Sequence, residues 1–151
     1  TINILKHYKI PFVIHHMQGT PETMQKNPKY KNILLDIYDF FEKQIKLIKN
    51  KGISHNNIII DPGIGFGKTS KHNIQILQNL KIFHKLGCNI LIGLSRKRFI
   101  SDLSKKEEPV DRIPGTIAAN QYALEQGVNI IRVHDVKETL QAKLIWEALQ
   151  K

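Results

Sequence analysis

Residues 58–68 read Ile58-Ile59-Ile60-Asp61-Pro62-Gly63-Ile64-Gly65-Phe66-Gly67-Lys68, and this stretch decides the fold that the sequence predicts. An apolar, β-branched run, typical of a strand buried on both faces, ends on an acid and opens into a loop with three glycines. A carboxylate at the inner end of a buried strand is unfavourable to desolvate without a partner. Asp61 is therefore predicted to face a polar ligand or a charged neighbour.

Two later apolar runs end in the same way. One leads into Ser95-Arg96-Lys97, and the last leads into Arg132-Val133-His134-Asp135. Reactive side chains at the carboxyl ends of successive parallel strands are typical of the active sites of β/α barrels. The three strand ends therefore predict one site at one edge of a parallel sheet.

The apolar pattern predicts four strands separated by helices. The strands are predicted over residues 12–15, 58–60, 90–94 and 129–133. Apolar residues recur every three or four positions, as in helices, over residues 33–48, 74–83, 117–124 and 136–144. Repetition of strand, helix and strand gives a parallel sheet, so the expected fold class is α/β. We expect about four β/α units of a (β/α) TIM barrel, forming a single unit over residues 1–151.

The length of the chain limits this prediction. The chain has 151 residues, whereas a complete eight-fold barrel needs roughly 250. Part of a barrel would have two unpaired sheet edges and one side of its interior uncovered. We therefore expect a barrel fragment or a chain that needs a partner, and Thr1 in place of an initiating methionine agrees with that expectation.

The glycine loop does not match the common phosphate-binding signatures. A P-loop needs glycine five positions before its Gly-Lys-Thr, and the residue five positions before Gly67 is Pro62. The dinucleotide fingerprint has a different glycine spacing and follows the first strand of its fold, whereas this loop follows the second predicted strand. Either the loop is a flexible turn, or Gly63 and Gly65 let a flat ring approach the backbone closely.

Lys97 follows the third predicted strand, where a helix is expected to begin with Ser95 as its cap. A lysine beside helix N–H groups can bind an anion or a carbonyl oxygen. The alternative is a solvated basic turn over residues 95–98, because exposed lysine is ordinary.

Arg132 and His134 alternate along the last predicted strand, so both point to the same side. An arginine fork with an imidazole donor suits a diphosphate. The alternative is a structural ion network with Asp61 or Asp135. Asp135 is also a predicted helix cap, with Glu138 reaching back as in a capping box.

The first predicted strand ends in His15, His16 and Met17. Adjacent strand residues face opposite ways, so at most one histidine reaches the predicted site. With so few acids and histidines nearby, we expect no protein-bound metal. Met17 can pack against a planar ring.

Composition excludes several classes of protein. The formal net charge is +10, but the 23 basic residues are spread along the chain and form no block suited to nucleic acid. No apolar run approaches the roughly 20 residues of a membrane span, and the opening lacks the zones of a signal peptide. Cys88 is the single cysteine, which suits a reducing compartment. We expect a cytoplasmic protein with no nucleic-acid partner and no membrane association.

The four strand ends together resemble the dihydropteroate synthase family. They are His16-Met17-Gln18-Gly19, residues 61–68, Ser95-Arg96-Lys97 and Arg132-Val133-His134-Asp135-Val136. The match runs in order across essentially the whole chain and covers what resembles the second half of the family barrel, with the first half absent. The resemblance implies that 6-hydroxymethyl-7,8-dihydropterin diphosphate is condensed with 4-aminobenzoate in folate biosynthesis. The products are 7,8-dihydropteroate and pyrophosphate, and sulfonamides compete for the aminobenzoate site.

The resemblance also implies a role for each matching residue. Asp61 would hold the amino-pyrimidinone edge of the pterin, while Lys97 would contact its carbonyl side and approach the aminobenzoate. The diphosphate would be held by Arg132 and His134, which with Lys97 are the expected catalytic residues. Arg98 would lie near the aminobenzoate carboxylate. The pterin slot would be lined by Phe66, Gly93 and Met17.

The family implies partners and limits as well. Magnesium would ride on the diphosphate instead of sitting in a protein cage, and the full-length form would be a homodimer through its outer helices. The unmatched half normally supplies further pterin ligands and two mobile loops, so the chain alone is expected to be inactive or very weak. Two alternatives are a pterin-binding barrel of the corrinoid methyltransferase type, which should lack the basic residues named above, and a non-catalytic barrel remnant.

Overall fold

A computed structural model describes residues 2–24 and 26–150. Its strands are β1 (Phe12–His15), β2 (Ile58–Asp61), β3 (Asn89–Ile92) and β4 (Ile130–Ile131). Its α-helices are α1 (Ile2–Tyr8), α2 (Ile33–Asn50), α3 (Ser70–Gln78), α4 (Arg98–Leu103), α5 (Ile113–Glu125) and α6 (Val136–Leu149). Short 3-10 helices cover His55–Asn57, Leu80–Leu86 and Pro109–Arg112. No helix within the described ranges is both long and apolar enough to cross a membrane.

The described strands form one parallel sheet in the order β1-β2-β3-β4. Each strand pairs with the next one along the chain, so the strand order never reverses. A β/α barrel is built in this way, whereas an open doubly wound sheet contains a reversal. The predicted α/β fold with four parallel strands of a barrel is confirmed.

The strand register decides which side chains meet at the carboxyl edge. His15 lies opposite Asp61 in the β1–β2 pair, and Leu91 lies opposite Ile130 in the β3–β4 pair. Side chains alternate between the two faces of a strand, so residues two positions apart share a face. Arg132, two positions after Ile130, therefore projects on the same face as Ile130. We call this face, which carries Asp61, the inner face.

The other face of the sheet is buried under the helices. Ile14, Ile60 and Ile92 lie on it and belong to the hydrophobic core. The α2 helix buries a stripe made of Ile33, Ile37, Phe41 and Ile45, as its apolar spacing predicts. Full burial of such a side chain contributes about 1.5–3 kcal/mol, so this layer holds the strands in place independently of the inner face.

Two predicted elements differ most from the structure, while the others shift by a few residues at their ends. The helix predicted over residues 74–83 is divided, because α3 ends at Gln78 and the 3-10 helix begins at Leu80. The Asn79 side chain bonds back to the Gln75 carbonyl at 2.8 Å, which favours an ending there. The last strand spans two residues instead of residues 129–133, although the Arg132 N–H still donates to the Ile92 carbonyl at 2.9 Å.

The predicted helix caps are wrong. The α4 helix has Lys97 as its N-cap residue, without a capping side-chain hydrogen bond. Asp135 is the N-cap residue of α6, but its side chain does not cap the helix and so forms no capping box. As described below, Ser95 and Asp135 are bonded to distant partners instead.

The loop after β2 packs tightly against the segment after β1. Gly63 has a φ of +69°, and a Cβ built on it would lie 1.9 Å from the His16 carbonyl oxygen. The His16 N–H also donates to the Asp61 carbonyl at 2.9 Å. Only glycine fits this close approach of two backbones.

We expect Gly63→Ala to destabilise the chain more than Gly52→Ala does. Gly52 also has a positive φ, +81°, but a Cβ there would meet only the flexible end of the Lys6 side chain. The control should lower the free energy of unfolding by about 1 kcal/mol, and Gly63→Ala by at least about 2 kcal/mol more because backbone must move. Urea unfolding of both variants measures the difference, and equal losses would contradict the close contact.

Candidate active site

Asp61 is a buried carboxylate at the end of β2. The residue is 1% exposed. Its Oδ1 accepts a 2.8 Å hydrogen bond from the Gly63 N–H, and its Oδ2 lies 3.4 Å from Nη2 of Arg132. The His15 Nε2 is 4.0 Å from the same Oδ2. One short bond and two longer contacts leave this carboxylate able to accept from a ligand that brings N–H donors.

Arg132 reaches Asp61 across the end of β3, over Gly93. A Cβ at Gly93 would lie 3.1 Å from Nη2 of Arg132, so the glycine provides the space that the guanidinium occupies. The Arg132 side chain is 56% exposed while that of Asp61 is 2% exposed. Of the two ion partners considered from the sequence, Arg132 contacts Asp61. A half-exposed arginine on a long contact can turn toward an anion in the open inner face.

His134 is held by Ser95 from the end of β3. The Ser95 Oγ accepts from the His134 N–H at 3.2 Å and lies 2.9 Å from its Nδ1. A hydroxyl has one proton to donate and two acceptor lone pairs, so Ser95 can either donate to Nδ1 or accept from it. When Ser95 donates, the ring proton sits on Nε2, where it is available to an anion.

Arg96 and Asp135 form a structural pair beside the site. The guanidinium donates from Nε to Oδ2 at 3.0 Å and from Nη2 to Oδ1 at 2.5 Å. The hydrogen bonds from Arg96 lower the pKa of Asp135. This bidentate pair joins the segment after β3 to the start of α6 and explains why Asp135 does not cap that helix.

Lys97 lies over the glycine loop of β2. Its Nζ donates to the Ile64 carbonyl and is 4.6 Å from the centroid of the Phe66 ring. Burial lowers the pKa of Lys97 to about 8, with Asp61 raising it and Arg132 lowering it. A lysine with this pKa is mostly protonated at neutral pH and can also exist as an amine. Lys97 thus lies beside Phe66 and close enough to Asp61 to feel its charge.

Phe66 stands between Lys97 and His15. The His15 and Phe66 rings meet edge to face, with centroids 4.6 Å apart at 90°. Burial is the main cause that lowers the pKa of His15, against the raising effect of Asp61. Phe66 therefore forms one wall of the space above Asp61.

Sequence reasoning assigned no role to three residues of this region, His15, His16 and Lys68, although it expected at most one of the two histidines to reach the site. The strand register could have identified His15, because β1 and β2 end at the same level and His15 lies opposite Asp61. Lys68 is 3% exposed and His16 is 7% exposed. Nζ of Lys68 lies 2.9 Å from Nδ1 of His16 and donates to the Phe66 carbonyl at 2.9 Å. No local pattern distinguishes this buried lysine from a solvated one.

The two remaining predicted residues are Met17 and Arg98. Met17 is half-buried, two positions after the end of β1. Arg98 begins α4, and its side chain is 88% exposed with Nε 3.6 Å from Oδ1 of Asp102. Arg98, Lys97 and Phe66 together line a pocket of about 560 Å³, next to the inner face.

The residues of the site do not form a metal cage. The described parts of the chain contain no group of three or more His, Cys, Asp or Glu side chains placed to share an ion. At the site itself, Asp61 already bonds to a backbone N–H and an arginine, and its other neighbours are basic. The donors present suit an anion and an N–H-bearing ring better than a divalent cation.

Comparison with known proteins gives the family. The model of the family described as "Pterin binding enzyme" matches residues 1–134. Dihydropteroate synthase of Haemophilus influenzae is 44% identical over 140 residues, which cover 92% of this chain and 50% of the relative. The chain therefore spans about half the length of the curated relative it matches.

Solved structures agree with this match. A Yersinia pestis dihydropteroate synthase with a sulfonamide drug complex superimposes with a TM-score of 0.94 at 39% identity, covering 99% of this chain and 54% of that one. A Xanthomonas albilineans dihydropteroate synthase with 4-aminobenzoic acid does so with a TM-score of 0.90 at 35% identity, covering 99% and 52%. The fold, the site at the carboxyl edge of the sheet and these matches agree: the chain belongs to the pterin-binding enzyme family, and it corresponds to about half of a dihydropteroate synthase.

Proposed function

We propose that this chain supplies the substrate-binding half of a dihydropteroate synthase in folate biosynthesis. The reaction joins 6-hydroxymethyl-7,8-dihydropterin diphosphate to 4-aminobenzoate and gives 7,8-dihydropteroate and pyrophosphate. The observation that supports it best is the buried Asp61 carboxylate with Arg132 at 3.4 Å and Lys97 beside it, at one end of a parallel sheet. Relatives with that named activity match the chain over 92% of its length.

Asp61 is suited to the amino-pyrimidinone edge of the pterin. Its Oδ2 has only the long Arg132 contact and His15 at 4.0 Å, so an amino group and a ring N–H can take their place at shorter distances. A carboxylate that accepts two charge-assisted bonds is better satisfied than with these long contacts. Phe66, Gly93 and Met17 would border the ring, with Phe66 as the wall nearest Lys97.

Arg132 and His134 are suited to the diphosphate. When the pterin takes Oδ2 of Asp61, the half-exposed guanidinium is free to turn outward to phosphate oxygens. His134 adds an Nε2–H donor when Ser95 donates to its Nδ1, 2.9 Å away. Two fixed donors at the leaving group stabilise the negative charge that grows on it. Magnesium is assigned to the diphosphate itself and not to protein ligands.

The aminobenzoate is assigned to the pocket lined by Phe66, Lys97 and Arg98. The exposed guanidinium of Arg98 lies at its edge, where a carboxylate would be accessible to it. The Xanthomonas albilineans neighbour is a structure with 4-aminobenzoic acid. Because this pocket shares Phe66 and Lys97 with the inner face, the aniline nitrogen and the pterin methylene can approach each other there.

The reaction that follows is a substitution at the pterin methylene carbon. The bond from this carbon to the diphosphate oxygen breaks, and pyrophosphate leaves with the electron pair. The cation that remains is spread over the pterin ring, next to the negative charge of Asp61. The aniline nitrogen then forms the new C–N bond and loses a proton to solvent. Arg132 and His134 act on the anionic leaving group, Asp61 acts on the cationic ring, and Lys97 lies at the carbonyl side of the pterin, near the aminobenzoate.

Three further features are part of the proposal. We assign the protein to the cytoplasm, with residues 1–151 as one barrel segment. We also assign homodimerisation of the full-length form to its outer helices. On α6, Leu140, Leu144 and Ile145 are between 50% and 60% exposed, and such an apolar helix face is ordinarily covered by a partner. The methyltransferase alternative is not favoured, because the chain carries the basic residues expected to be absent from it.

The activity is tested in a closed barrel. We call the chain fused behind the first half of the Haemophilus influenzae relative the completed barrel. It should form dihydropteroate from both substrates, whereas the 151-residue chain alone should not. The completed barrel should also bind pterin diphosphate more tightly than pterin alcohol, because Arg132 and His134 bind the phosphates. Equal affinities in calorimetry would contradict the proposed function and favour the methyltransferase.

We expect Asp61→Asn to lower kcat/KM of the completed barrel by about 10- to 100-fold, the loss of about 1.5–3 kcal/mol typical of a hydrogen bond to a charged group. Affinity for pyrophosphate alone should stay within about twofold, since the phosphates do not contact Asp61. Asp39→Asn, at an exposed position on α2, is the control. An unchanged kcat/KM in Asp61→Asn would remove Asp61 from the site.

We expect the affinity for pterin diphosphate to fall as pH rises through about 8. Lys97 has its pKa lowered to about 8, so below that pH its positive charge favours the anionic substrate, and above that pH the charge is lost. Lys97→Arg keeps the charge and should flatten this part of the profile. Titration calorimetry on both sides of pH 8 measures the effect, and the same decline in Lys97→Arg would assign it to another group.

A further inference from the structure

Lys68 is a buried lysine that has no part in the proposed reaction. It is 3% exposed, and lysine is rarely buried so fully. Its Nζ donates to the Phe66 carbonyl at 2.9 Å, lies 2.9 Å from Nδ1 of His16, and lies 3.4 Å from the His16 carbonyl. These partners belong to two different segments, the loop after β2 and the end of β1. Lys68 therefore links the two segments.

The His16 end of this link is rigid. His16 is 7% exposed, and its ring packs edge to face on Phe40 of α2 with centroids 5.0 Å apart. Burial, together with Lys68, lowers the pKa of His16 to about 3, so the ring is neutral at physiological pH. A neutral ring can accept at Nδ1 from the lysine.

At the other end of the link, the backbone of the glycine loop is fixed by side chains. Gly63, Gly65 and Gly67 all have positive φ, and glycine-rich backbone is flexible when nothing fixes it. Two successive carbonyls of this loop accept from side chains: that of Phe66 from Lys68, two residues later in the loop, and that of Gly67 from the Tyr30 hydroxyl at 2.7 Å.

We propose that Lys68 is a positioning residue for the pterin ring: by holding the Phe66 carbonyl against His16, it fixes the Phe66 side chain as a wall of the ring slot. The inference rests on the proposed function, since the occupant of the slot is the flat bicyclic ring assigned there. Phe66 is then constrained at its carbonyl by Lys68, by a T-shaped ring contact with His15, and on its face by Lys97.

The hydrogen bond from Lys68 to the Phe66 carbonyl does not require a charged lysine. Burial lowers the pKa of Lys68 to about 7, with Asp61 raising it and Lys97 lowering it. Both the ammonium and the amine carry N–H groups that can donate to the Phe66 carbonyl. A neutral donor that is one atom shorter is therefore a partial substitute, which makes Lys68→Gln the informative rescue and Lys68→Met the loss variant.

Amide hydrogen exchange on the 151-residue chain tests the hold without any ligand. The reporters are the Phe66 N–H, which donates to the Gly63 carbonyl at 3.0 Å, and the Gly65 N–H, which donates to Asn73 at 2.9 Å. Both should exchange at least about tenfold faster in Lys68→Met and at an intermediate rate in Lys68→Gln. Lys71→Met, at an exposed position in the first turn of α3, should match the wild type.

The Ile90 amide separates a local effect from general loss of structure. It lies in β3, where its N–H donates to Asn129 at 2.9 Å, and it should keep its wild-type exchange rate in Lys68→Met. Faster exchange of all three amides together would show a merely structural lysine and overturn the inference. Wild-type exchange at Phe66 and Gly65 in Lys68→Met would also overturn it.

Binding to the completed barrel tests the functional consequence. Lys68→Met should weaken pterin diphosphate binding by about tenfold and leave pyrophosphate binding within about twofold, because the phosphate donors come from the end of β4. Lys68→Gln should recover part of the loss, and Lys71→Met should lose nothing. Equal weakening for both ligands, or none, overturns the inference. If the wild-type completed barrel binds pterin diphosphate no more tightly than pterin alcohol, the proposed function is overturned instead, whatever the amide hydrogen exchange of Lys68→Met shows.

Discussion

A single buried carboxylate constrains this molecule more than any other group. Asp61 is 1% exposed, and its negative charge is tolerable only with donors placed around it. Gly63 supplies a backbone N–H at 2.8 Å through a turn that only glycine allows, and Gly93 leaves the space through which Arg132 arrives. The glycine loop, the bare end of β3 and the arginine after β4 are thus three consequences of one requirement.

Basic side chains around Asp61 outnumber its single negative charge. Lys68, Lys97 and Arg132 act on the same region as one carboxylate, and burial lowers the pKa of the two lysines to about 7 and about 8. An anionic ligand would reverse this, because a nearby negative charge favours the protonated lysine. These charges suit a substrate with a neutral end whose N–H groups donate to Asp61 and a strongly anionic end near the basic side chains. A pterin diphosphate has this chemical character.

The sequence predicts the features that depend on local spacing and misses those that depend on distant competition. The β1 strand and the apolar stripe of α2 follow from periodicity within a few residues, and both are found at the predicted positions. Ser95 and Asp135 satisfy the local rules for helix caps, but partners 39 residues away, His134 and Arg96, bind them instead. Lys68 was missed for a related reason: its burial is created by His16, more than fifty positions earlier in the chain.

The two faces of the sheet separate the geometry of the site from its activity. The face of the sheet opposite the inner face is closed by helices, with Ile60 and Ile92 at 0% exposure, so the strand ends that carry the site are held in place by this chain's own core. The inner face is less covered, since Val13 remains 42% exposed. Charge stabilisation in the proposed reaction is strong only in a site from which water is excluded. The positions of Asp61 and Arg132 are thus a property of these four strands, whereas their catalytic effect requires a closed inner face, as in relatives of twice the length.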